Sequence, residues 1–95
     1  MYAISFDLDT SMLEASYGPN SSNAYNEIRK ELTANGFDWT QGSVYFGDET
    51  VDAVKCVLVV QSMTKKFPWF ASSVRDIRML RIEENNDLKQ AVESI

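Results

Sequence analysis

From Tyr2 to Leu8 the chain alternates, with Tyr2, Ile4, Phe6 and Leu8 on one side and Ala3, Ser5 and Asp7 on the other. That is the period of a half-buried strand. Asp9 to Asn23 is polar and holds the turn cluster Gly18-Pro19-Asn20-Ser21-Ser22. It leaves room for one short helical turn at Met12 and Leu13, and offers Ser21, Ser22 or Asn23 as the N-cap of a helix beyond it. Ala24, Tyr25, Ile28 and Leu32 recur at three- and four-residue spacing opposite Asn26, Glu27, Arg29, Lys30 and Glu31. The spacing predicts an amphipathic helix over 22–35, stopped by Gly36 at the C′ position. Phe37-Asp38-Trp39-Thr40 and Ser43-Val44-Tyr45-Phe46, separated by Gln41-Gly42, predict two short paired strands.

Thr50 offers an N-cap to a second helix, with Asp52 in its first turn and Val51, Val54, Leu58 and Met63 on one side as far as Lys65-Lys66. Val57 to Val60 would also suit a buried strand, but the length from Val51 to Lys66 exceeds an ordinary strand and favours a helix. Phe67-Pro68-Trp69-Phe70 breaks it. Val74 to Glu83 is then the last strand, although Arg75, Arg78 and Arg81 at three-residue spacing would also fit one helix face. Asn85 onward, with Leu88, Val92 and Ile95, predicts a short C-terminal helix or tail over residues 85–95.

The order strand, helix, strand, strand, helix, strand predicts an α+β, ferredoxin-like βαββαβ sandwich: one antiparallel sheet, the first strand central, both helices on one face. The other face calls for a partner, and a homodimer is the expected solution. Ninety-five residues make a single domain, 1–95, with one core. Fourteen acidic against nine basic residues, a net charge of -5, argue against a nonspecific nucleic-acid binder. Cys56, the one cysteine, sits in an apolar run and reads as a buried hydrophobe. The start of the chain lacks the features of a signal peptide and no apolar run approaches a membrane span, so the expectation is a cytoplasmic protein without a membrane partner. The absence of histidine excludes Ser-His-Asp and Cys-His catalysis and the usual zinc sites. Any metal must be a hard cation such as Mg²⁺ on carboxylate oxygens.

Four places could carry chemistry. Asp7, near the end of the first strand and opposite its apolar stripe, is open to three roles: Mg²⁺ ligand, general base, or structural partner of an arginine. Thr40-Gln41-Gly42-Ser43 suits a hairpin turn, or a tight turn whose N–H groups meet a phosphate. Three of the four arginines, Arg75, Arg78 and Arg81, surround Asp76. Strand alternation puts Asp76 with Arg78 on one face and Arg75 with Arg81 on the other, for phosphate recognition or for surface ion pairs. Lys65-Lys66-Phe67-Pro68-Trp69-Phe70 interleaves cations with aromatics, either as a base-stacking platform or as a helix end followed by core rings.

Three landmarks in order, MYAISFDL at residues 1–8, GFDWTQGSVY at residues 36–45 and SVRDIR at residues 73–78, closely resemble the virulence-associated protein D (VapD) family over nearly the whole chain. The resemblance implies a homodimeric, ferredoxin-like endoribonuclease, related to CRISPR-associated nucleases that carry an aspartate at the end of their first strand. It also implies the toxin half of a toxin-antitoxin pair, restrained by a small antitoxin protein. Carried over by position, Asp7, Ser43 and Asp76 become the catalytic candidates, with Thr40, Gln41, Arg75 and Arg78 binding RNA and Asp7 the residue for any Mg²⁺. A reading from another class is a non-catalytic dimeric module whose Arg-Asp cluster forms ion pairs between chains.

Overall fold

In the computed structural model, which describes residues 1–95, the alternating segment forms β1 (Tyr2–Leu8). Ile4, Phe6 and Leu8 are buried and Asp7 is exposed. After it come α1 (Thr10–Tyr17), α2 (Ser22–Ala34), β2 (Phe37–Gln41), β3 (Val44–Gly47), α3 (Ala53–Lys66), α4 (Phe70–Ser73), β4 (Val74–Arg81) and α5 (Lys89–Glu93). The four strands form one antiparallel sheet in the order β2-β3-β1-β4. This is the ferredoxin-like arrangement, with the first strand in the interior and β2 and β4 at the edges.

The buried stripe of α2 is Ala24, Ile28 and Leu32, as its spacing predicts. The chain leaves that helix through Gly36 at φ +90°, a conformation that a side chain disfavours. Between Asp9 and Gly18 the structure forms the two-turn helix α1 where the sequence suggests a single turn. Asp9 explains the extra length: its Oδ1 accepts the Met12 N–H at 2.9 Å, an N-cap that the turn-rich composition downstream obscures.

α3 has the expected place and length but a different buried face. Cys56, Val59 and Met63 point into the core, while Val54 and Leu58 are 65% and 57% exposed. The cap is Asp52, whose Oδ1 accepts the Lys55 N–H at 2.8 Å, and Thr50 instead bonds Asp48 through both its N–H and its hydroxyl. A valine-rich helix carries apolar residues on two sides, so periodicity could not choose between them. Burial raises the Cys56 thiol pKa above its usual value, with the Asp52 carboxylate adding to the effect.

Phe67, Trp69 and Phe70 close the core under α4. Trp69 stacks on Phe67 at 5.0 Å between ring centres and meets the edge of Tyr17 from α1 at 5.2 Å. The Lys65–Phe70 segment is therefore a helix end followed by core rings. Lys66 Nζ pairs with Glu31 of α2 at 2.7 Å across the helical layer. Beyond β4 only Lys89–Glu93 is helical, and Leu88, Val92 and Ile95 are exposed. No helix is long and apolar enough to cross a membrane.

Candidate active site at one end of the sheet

β1 ends beside the start of β4 and the tip of the β2–β3 hairpin, because both neighbours of β1 run antiparallel to it. In an antiparallel pair, residues directly opposite share a face. Asp7 is opposite Asp76 and Ser5 is opposite Arg78, so Asp7, Asp76 and Arg78 all lie on the face without helices, as alternation predicts. Two carboxylates facing each other repel, and each has an arginine nearby. Arg78 Nε lies 3.1 and 3.2 Å from the two Asp76 oxygens, and Arg75 Nη1 lies 3.8 Å from Asp7 Oδ2.

Arg75 departs from the sequence expectation. Simple alternation puts it on the helix side, away from Asp7, but the β1–β4 register slips between Asp7 and Leu8. Asp7 faces Asp76 while Leu8 faces Val74, which makes Arg75 the extra residue of a β-bulge. A bulge bends the strand and re-aims a side chain. Here it turns the guanidinium toward the two acidic groups at the end of β1, with Nη2 3.2 Å from Asp9 Oδ2 and Nη1 near Asp7. Asp9 is fixed on three sides: its N–H donates to Ser73 O at 2.7 Å, one carboxylate oxygen caps α1, and the other accepts from Arg75. The Met12 N–H foremost, and then the Arg75 guanidinium, hold the Asp9 carboxyl below its usual pKa of 3.8. Arg81 pairs in register with Tyr2, at the far end of β4 from the bulge. Arg75 and Arg78 therefore share one patch that Arg81 does not join.

The hairpin residues are placed differently. Ser43 O accepts the Phe6 N–H at 3.1 Å, so Ser43 is tied by its backbone to the residue before Asp7. Alternation from Tyr45 sets Ser43 on the helix side of the sheet, whereas Asp7 and Asp76 lie on the open side. Thr40 is the extra residue of a second bulge, between Trp39 and Gln41, and both Thr40 and Gln41 are exposed one strand further out. Gly42, at φ +49°, makes the turn. The structure thus gathers Asp7, Asp76, Arg75 and Arg78, with Asp9 behind them, and leaves Ser43, Thr40 and Gln41 on the adjoining hairpin, Ser43 on the opposite face of the sheet.

An apolar groove of about 210 Å³ lies between α3 and β4, with Cys56, Val60, Ile77 and Met79 among its walls. No carboxylate lines it, and Arg78 is the one residue it shares with the acidic end of the sheet. No group of three or more Asp, Glu or Cys side chains is arranged to hold a metal ion. One chain therefore offers Asp7, alone or with Asp76, and this is the kind of donor set Mg²⁺ uses, with water and phosphate completing its shell.

Residues 1–90 of this ferredoxin-like chain match the family described as CRISPR associated protein Cas2, and the chain belongs to that family. Within it the chain belongs with the VapD proteins. It is 56% identical over 93 residues to "Endoribonuclease VapD 2" of Riemerella anatipestifer, covering 97% of this chain and 99% of that protein. It is 54% identical over 95 residues to "Endoribonuclease VapD homolog" of Helicobacter pylori, covering 100% of this chain and 99% of that one. To "Endoribonuclease VapD" of Dichelobacter nodosus it is 46% identical over 92 residues, 97% of each chain.

Proposed function

We propose that this protein is an endoribonuclease that hydrolyses phosphodiester bonds of single-stranded RNA in the cytoplasm, as the toxin of a pair whose small antitoxin protein restrains it. The observation that carries the chemistry is the end of β1: Asp7 exposed, opposite Asp76, with the Arg75 guanidinium 3.8 Å away. The relatives, named as endoribonucleases over essentially the same length, support the substrate class.

Asp7 is the general base that takes a proton from the attacking water, and Asp76 sets the field around it. Arg75, with a second arginine at Arg78, stabilises the charge that grows on the phosphate oxygens, because planar guanidinium groups match that geometry. Ser43, on the far side of the sheet from Asp7, donates a hydrogen bond to the RNA backbone where it crosses the hairpin tip, and Thr40 and Gln41 hold the flanking chain. If Mg²⁺ takes part, Asp7 is the residue that would hold it, and the ion would neutralise phosphate charge and acidify water. A second copy over the open face, with the symmetry axis at this end of the sheet, would bring two Asp7 side chains together. The Arg75–Asp9 and Arg78–Asp76 pairs are made within one chain, so a purely structural role between chains is not needed to explain them.

Asp7→Asn tests the reading directly: cleavage of single-stranded RNA should fall by roughly 10²–10⁴, the range for a lost general base. Undiminished cleavage by the folded variant removes Asp7 from the mechanism. Chelation by EDTA abolishes cleavage on the Mg²⁺ route and leaves the metal-free route intact. Growth arrest on expressing the wild type, absent with Asp7→Asn, checks the toxin role.

A further inference from the structure

The two tryptophans sit in opposite environments. Trp69 is 8% exposed inside the aromatic cluster, whereas Trp39, on the edge strand β2, is 47% exposed. The Trp39 ring is nevertheless fixed. Its Nε1–H donates to Gly42 O at 2.7 Å, which ties it to the hairpin tip, and the Arg29 guanidinium of α2 lies 3.7 Å from the ring centre. Its one donor is thus satisfied and one side of the ring carries a stacked cation. What the indole still presents is apolar π surface. Arg29 makes no ion pair, and its Nε is the one buried side-chain polar atom without a hydrogen-bond partner.

We propose that Trp39, backed by Arg29, is a stacking subsite for an unpaired nucleobase of the RNA. This rests on the endoribonuclease reading and deepens it by naming where substrate is gripped. Every base has a π face, so an aromatic ring with its polar edge already bonded selects unpaired bases with little regard to sequence. A guanidinium stacked on the same ring is free to meet the phosphate of the stacked nucleotide, since no carboxylate neutralises it. Trp39 pairs in register with Tyr45 and Tyr45 with Ile4, three residues before Asp7, so Trp39 lies about 10 Å across the sheet and about 10 Å along it from Asp7, and the subsite takes a nucleotide that flanks the scissile bond. Trp39 lies on the helix side and Asp7 on the open side, so RNA that uses both passes over the free edge of β2, beside the Thr40 bulge.

The test titrates the Asp7→Asn protein, followed by tryptophan emission, with an octameric single-stranded oligoribonucleotide and with the same RNA annealed to its complement. The single strand should quench emission and the duplex should not. Trp39→Ala should remove the quenching and weaken binding roughly 5- to 150-fold, the range for losing one base-stacking contact. Trp39→Phe should keep most of the affinity, Arg29→Met should lose part of it, and in an Asp7 background Trp39→Ala should raise KM more than it lowers kcat. Trp39→Leu keeps apolar bulk without a π face, so it gives the same answer should the alanine variant unfold. Unchanged affinity in a folded Trp39→Leu protein, or quenching that persists without Trp39, overturns the subsite even if Asp7→Asn has lost cleavage. If Asp7→Asn cleaves normally, the assignment of Asp7 fails and the binding result still decides Trp39.

Discussion

Both edge strands are bulged at the end of the sheet where β1 delivers Asp7, and the two edges treat charge in opposite ways. At β4 the extra residue is Arg75, and its guanidinium turns onto Asp7 and Asp9 while Arg78 turns onto Asp76. Three carboxylates and two guanidiniums nearly cancel. At β2 the extra residue is Thr40, its neighbour is an exposed indole, and the nearby cation, Arg29, has no carboxylate. The difference separates two tasks. A polyanion approaching the β4 edge must displace ion pairs already made, and the Arg78–Asp76 pair, with side chains 69% and 50% exposed, gives way at a cost of about 0–1 kcal/mol. The β2 edge requires no such exchange. On the proposed function, chemistry falls to the self-neutralised edge and grip to the aromatic one, a workable division for a protein of net charge -5.

The sharpest way to break this division is Arg75→Met. It should lower kcat by roughly 10²–10³, the cost of removing one preorganised donor from a developing oxyanion, with little change in oligonucleotide affinity. A loss of affinity without a loss of rate would reverse the roles of the two edges. Combining Arg75→Met with Trp39→Ala is the next test: the sites share no partner, so their effects on kcat/KM should multiply. Ser43→Ala should have a smaller effect, roughly tenfold or less, about one neutral hydrogen bond, because Ser43 meets β1 through its backbone and not through its hydroxyl.

The smallest effect concerns Asp9 and pH. Its carboxyl pKa is lowered in the folded protein, so its contribution to stability is present above the unfolded value near 3.8 and is lost as pH falls through the folded value. Melting temperatures of the wild type and of Asp9→Asn, which keeps a capping side chain, should differ at neutral pH and converge in acid. A difference that grows on acidification would contradict the Arg75–Asp9 contact and the Met12 cap together.

Legibility in the sequence depends on the strictness of the pattern. β1, α2 and the β2–β3 hairpin show in the bare chain because their apolar residues keep one period and Gly36 and Gly42 mark the breaks. The core-facing side of α3 does not show, because Val54, Val57 and Leu58 make a second apolar stripe as strong as the buried one. Asp7, Asp76 and Arg78 fall on one face by counting in twos. Arg75 does not, because a bulge that skips one residue carries no glycine or other local marker here; it is defined by contacts with Asp9 and Asp7, far away in sequence. Aromatic composition misleads in the same way. The cation-rich Lys65–Phe70 block looks like the stacking surface, yet its rings fill the core, and the exposed ring is Trp39.

The topology also sets an order of events. β1 is the first element made, yet its partners are β3 and then β4, whose pairing with Tyr2–Leu8 spans most of the chain. Contacts so distant in sequence form late and slowly. A nascent chain that has emerged only as far as α3 holds Asp7 on a strand with one open side and lacks Arg75, Asp76 and Arg78 altogether. The end of the sheet that carries Asp7 can therefore be completed only after Arg78 has been made, late in the synthesis of the chain.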